Sequence, residues 1–209
     1  MSGDLEADPA QAIRLCRAAH GRLVATVERA SDEQIRSSSR LPGWTVAHVL
    51  THIARNADGH ARRLAGALRG EDVARYPGGP AQRASEINDR AQRPVEAIRA
   101  DLDTSQRQLD SVWEQNMAVG WPHAGLRGDD HWPTTASPAR RLREVEMHHV
   151  DLGLGYEPSD WPEEYVAWEL PVLLATVPSR VQRTNDARAL LAWLSGRQST
   201  PAAIDLDPW

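Results

Sequence analysis

The sequence predicts an all-α protein: an up-and-down four-helix bundle over residues 1–157, followed by a short, reduced and mostly helical C-terminal segment over 158–209. Three observations carry this reading. Apolar residues recur every third or fourth position in four long segments, as they do on a helix with one buried face. Loops rich in Gly, Pro and Ser separate those segments. No stretch alternates polar and apolar residues well enough to be read as a strand.

The first helix is expected from about residue 9 to 30, with Ile13, Cys16, Ala19, Leu23 and Val27 as its stripe. It ends near Ser31–Asp32, and the loop SSSRLPGW follows. Thr45 reads as the N-cap of the second helix, which runs to about Arg69. Val46, Val49, Leu50, Ile53, Ala57 and Leu64 form its stripe. After GEDVARYPGGP a third helix is expected over about 80–117, with a kink before Pro94. Ser137 as N-cap and Pro138 at the first position start the fourth helix, which ends near Gly153–Gly155. Beyond Tyr156, WPEEYVAWEL and DARALLAWLSGR each read as helix, and STPAAIDLDPW as extended chain.

Composition narrows the function. The 209 residues carry a net charge of −5, which argues against a nucleic-acid partner. The acidic N-terminus lacks the basic start and apolar core of a signal peptide. The longest apolar stretch, LPVLLATVP, is too short to span a bilayer. A single cysteine excludes an internal disulfide framework. The expectation is a cytoplasmic protein, monomer or homodimer, without membrane association. All 24 basic residues are arginine, the mark of a GC-rich genome.

Chemistry concentrates in LREVEMHHVDLGLGY, residues 142–156. On a helical wheel at about 100° per residue, Glu144, His148 and Asp151 share one stripe. Leu142, Val145 and Leu152 flank it on one side, and Met147, Val150 and Leu154 on the other. A solvated helix has one apolar arc; two arcs point the polar stripe toward an interior cavity. Lone buried charges are costly, so these groups need partners. A divalent metal satisfies both Glu144 and His148. A buried Glu–His hydrogen bond, or a solvated face, remains the alternative.

The second helix supplies further candidates. His52 stands at the edge of its apolar stripe beside Asn56, whereas His48 points closer to the opposite side. His52, Glu144 and His148 together make a three-ligand set of the kind that leaves a catalytic zinc open to water or substrate. Trp44, just before this helix, reads as core or cavity wall, and Cys16 as a core thiol. His60 and His149 read as structural or solvated, while His20, His123 and His131 have no readable partner. Trp121, Trp132 and the 118–136 loop are candidates for a pocket lining, core or surface.

The blocks LPGWTVAHVLTHIARNADGHARRL, ARYPGGPAQRASEI, RRLREVEMHHVDLGLGYEPSDWP and LLAWLSGR resemble the mycothiol-dependent maleylpyruvate isomerase family, within the DinB-like metal-binding four-helix bundles. The resemblance covers about residues 8 to 175 and the LLAWLSGR piece. It implies a divalent metal, usually zinc, on His52, Glu144 and His148, and mycothiol as thiol cosubstrate. The arginine composition fits an actinobacterial host that makes such a thiol. The resemblance also carries a C-terminal arginine onto Arg197, and Arg141 is a second candidate for holding a substrate carboxylate. His48, Asn56, Asp151 and Trp44 would support or line the site. Family members carry a small α/β domain before this arginine, but here TVPSRVQRTND bridges the gap, so a shortened C-terminal part is expected.

The chemistry so implied is addition of a thiolate to an activated cis double bond, rotation about the resulting single bond, and elimination to the trans product. If elimination does not follow, the same site is a mycothiol S-transferase. A non-catalytic metal-dependent binding module and a zinc hydrolase are the readings from other classes.

Overall fold

An amphipathic helix must bury its apolar face against something, and here four long helices bury theirs against one another. A computed structural model of the chain describes residues 4–122, 132–181, 188, 191–192 and 195–197. Helix α1 spans Pro9–Arg29; the Asp8 side chain caps it by accepting from the Gln11 N–H. The short α2, Asp32–Arg36, is closed by a reciprocal Ser31–Gln34 capping box and buries Ile35. Helix α3 spans Val46–Leu68. Helices α4, Gly79–Ala91, and α5, Val95–Ala118, follow. A 3₁₀ turn at Thr134–Ala136 leads into α6, Ser137–Asp151. Another at Pro158–Asp160 precedes α7, Glu163–Val181.

The bundle is built from α1, α3, α5 and α6. Helix α3 packs on α5 and α6, and α1 packs on α6 and α5. Its core includes Leu23, Leu50, Ile53, Leu64, Leu109, Trp113 and Val145, all buried. Among the described residues there is no strand, only one antiparallel bridge between Ser38 and Thr45.

Three expectations need adjustment. The single kinked helix over 80–117 is two helices, because Pro94 has no N–H to donate and disfavours helical backbone at Arg93. Helix α2 was not foreseen, since five residues are too few to display a period. Ser137 is the first residue of α6 rather than its cap. Its hydroxyl instead meets His60 Nδ1 at 2.9 Å and accepts from Trp113 Nε1–H at 3.2 Å.

The chain divides into two compact units, with the boundary between Tyr165 and Val166. In the second unit, α7 exposes Leu170 and Leu174. Near residue 197, Ser195 N–H donates to Leu191 O and Arg197 N–H to Ala192 O. The tail over 198–209 and half of DARALLAWLSGR lie outside the described residues.

Candidate metal centre

Two helices of the first unit meet at one polar cluster. His52 lies on α3, in its second turn, where the helix presses against α6. Glu144 and His148 lie one turn apart on α6, so their side chains stack on one face. His52 Nε2 is 3.0 Å from Glu144 Oε2 and 3.0 Å from His148 Nε2. His148 Nε2 is 3.6 Å from the same Glu144 oxygen. One ligand atom from each residue thus falls within 4.8 Å of the others, and among the described residues no other such group of three occurs.

The surroundings prepare these donors unequally. His52 is buried, while Glu144 and His148 keep 29% and 21% of their side chains exposed, so the cluster opens at one edge. Burial would raise the Glu144 carboxyl, but hydrogen bonds with His148 and His52 hold it well below the usual carboxylate range. Burial opposes charge on His148, yet bonds to Asp151 and Glu144 prevail and raise its pKa to about 9. Burial dominates at His52 and lowers it, against the pull of Glu144.

Asp151 Oδ2 lies 2.8 Å from His148 Nδ1 and accepts its N–H. That bond holds the ring with Nε2 toward the cluster, so that a cation displacing the Nε2 proton would meet a lone pair there, the carboxylate–histidine arrangement of metal sites. A carboxylate kept ionised, two imidazoles and an orienting aspartate fit a divalent cation of the zinc type.

The remaining expected residues have distinct places. The Trp44 ring stands 5.7 Å from the His52 ring and walls one side. His48 turns to the helix start, where its Nδ1 is 2.7 Å from Thr45 Oγ1 in the α3 capping box. Asn56 accepts from Arg141 at 2.9 Å. Arg141 is fully buried, and its other bonds go to Ile53 O and Gln106 Oε1. Those donors hold helix to helix in the core, and no substrate carboxylate can reach them without breaking that packing. Arg197 is exposed, belongs to the second unit, and bonds Ser195 O. Trp121 and Trp132 are buried, the latter under the Arg63 guanidinium at 4.0 Å. His123 and His131 lie outside the described residues.

Two residues escaped the sequence reading. Arg83, on α4, places a guanidinium nitrogen 2.9 Å from His52 Nδ1. No periodic signal links it to a histidine 31 positions away. Glu146 is fully buried and accepts from Arg22 at 2.6 Å and from Tyr156 Oη–H at 2.6 Å. Its spacing of four from Leu142 places it on the buried arc, a signal that was available. His149 belongs to the same structural network, stacked on Tyr156 and 3.0 Å from Thr26 Oγ1.

A helical bundle with a His₂Glu cluster between two of its helices is a recurring class, and the cluster is one that could hold a metal ion. The family model described as the mycothiol maleylpyruvate isomerase N-terminal domain matches residues 16–153, which include all three cluster residues. The chain belongs to that family. A crystal structure of the mycothiol-dependent maleylpyruvate isomerase superposes with a TM-score of 0.72 at 26% identity, covering 77% of this chain and 67% of that one. A histidine-to-alanine mutant of the same isomerase gives 0.71 at 25% identity with the same coverage. No curated protein matches the chain at a significant level. Among the described residues, no helix is long and apolar enough to cross a membrane.

Proposed function

We propose that this protein is a zinc- and mycothiol-dependent enzyme that isomerises an activated cis double bond, in the manner of maleylpyruvate isomerisation. The observation that carries the reading is the convergence of His52, Glu144 and His148 within 4.8 Å, with Asp151 orienting His148. A divalent cation on these donors would lower the pKa of a thiol beside it and so supply a thiolate nucleophile.

The chain's own residues set the conditions. Glu144, held ionised, offsets cationic charge. Asp151 holds His148 with Nε2 toward the cluster. Trp44 closes the flank of His52. Thiolate attack forms a C–S bond at one alkene carbon, and the alkene pair moves into the conjugated carbonyl as an enolate. The former double bond is now single and rotates. Return of the enolate pair expels the thiolate and leaves the trans alkene, so the thiol is not consumed.

The test is incubation of zinc-loaded protein with mycothiol and maleylpyruvate, followed by product analysis. Fumarylpyruvate with the thiol regenerated is expected. A stable thioether adduct would make the protein an S-transferase. Unchanged substrate, with zinc bound, would overturn the catalytic reading in favour of a binding module.

A further inference from the structure

We propose that Arg83 is a carboxylate-holding arm of this site, resting on His52 until a cation engages that histidine; the proposal builds on the metal–thiol reading above. A guanidinium has five N–H donors and no acceptor. Arg83 lies 2.9 Å from His52 Nδ1, so Nδ1 must accept. The ring proton of His52 is therefore on Nε2, directed at Glu144 Oε2 at 3.0 Å.

A metal ligand needs the opposite tautomer. For Nε2 to bind a cation, the proton must move to Nδ1, and Nδ1–H then faces Arg83 donor to donor. His148 has no such conflict, because its Nδ1 faces a carboxylate. Like charge adds to the conflict, since a divalent cation one imidazole ring away repels the guanidinium. Arg83 must leave His52 as the site loads.

Where it goes follows from its surroundings. Arg83 is half-exposed, beside the Tyr76 ring at 5.8 Å. Among the described residues no carboxylate forms an ion pair with it. The released arm, whose side chain also hydrogen-bonds Tyr76, is a cation at the open edge of the cluster. A planar fork of this kind takes a carboxylate bidentately. The ligand class is an unsaturated carboxylate whose alkene lies over the cluster. Arg83 would orient that substrate and stabilise enolate charge.

Three proteins test this: wild type, Arg83→Gln and Arg83→Lys, each checked for unchanged melting. Zinc affinity is measured by competition with a chromophoric chelator. Glutamine can accept from Nδ1–H through its amide oxygen, so Arg83→Gln should bind zinc about tenfold more tightly than wild type. Lysine, a donor only, should not tighten it. Maleate, a cis-unsaturated dicarboxylate, is then titrated into the zinc-loaded proteins by calorimetry. It should bind wild type about tenfold or more tightly than Arg83→Gln, with Arg83→Lys between them. Equal zinc and equal maleate affinities in all three would overturn the role of Arg83 while leaving the metal site standing. Failure of zinc to bind any of them would overturn the metal reading and the arm together.

Discussion

His148 and His20 show how one bond decides what a histidine does. His148 turns Nε2 to the cluster because Asp151 accepts the N–H of its other ring nitrogen at 2.8 Å. Replacing Asp151 with alanine should weaken zinc binding about 10–100-fold while leaving it measurable in a competition titration. Glu144→Ala, which removes a donor, should lose stoichiometric zinc outright; retained zinc in that variant would sink the ligand assignment. His20 is the opposite case, buried with neither ring nitrogen hydrogen-bonded. Burial, with repulsion from Arg141, lowers its pKa from 6.5 to about 3. The native state therefore prefers the neutral ring, while the unfolded chain takes up a proton near the ordinary value. Its contribution to stability is present above pH 6.5 and is lost as the pH falls toward 3. Between pH 7 and 5 the wild type should lose about 2 kcal/mol more than His20→Leu, measured by urea unfolding. Equal losses would mean that His20 is not kept neutral. The wheel could find Glu144, His148 and Asp151 because they share one helix and one stripe. It could not separate His48 from His52 by bonding, because the Thr45 hydroxyl that turns His48 aside acts at the helix start.

At the level of elements, periodicity located α1, α3, α5 and α6 because each buries a long apolar stripe. It blurred α4 into α5, since the stripe resumes after Pro94 and only the missing N–H divides the two. Helix α3 also carries a constraint that no periodicity reveals. A Cβ built on Gly66 would lie 2.6 Å from Val73 Cγ2 and 3.2 Å from the Glu71 backbone oxygen. The 71–73 segment lies against the helix at this point, and only glycine leaves room. Gly66→Ala should destabilise the protein by about 1–3 kcal/mol, read as a lower urea midpoint. Zinc affinity should stay unchanged, because Gly66 is 14 residues beyond His52 on the same helix. An unchanged midpoint would show that Val73 and its segment yield freely.

For the whole molecule, the composition and four stripes were enough to read an all-α bundle, and the GWTVAHVLTHIARNAD and LREVEMHHVDLG blocks enough to read its family. What stayed illegible was contact across long sequence separation: Arg83 on His52, 31 residues away, or Arg22 on Glu146, 124 away. Such pairs depend on how helices are set against one another, and a single sequence carries no record of that. The His52–Glu144–His148 cluster is itself a long-range contact, joining α3 to α6 across 92 residues. A cation held there binds only the state in which both helices are docked, so its binding free energy adds to folding stability. With free zinc at about 100 times its Kd, the gain is about 2.7 kcal/mol. For a chain of this size that is a rise in Tm of about 5–10 °C. A thermal scan with zinc, and again after chelation, should show the rise and its reversal. His52→Ala should show neither, because the α3 half of the cluster is gone. An equal rise in that variant would place the stabilising ion elsewhere on the protein.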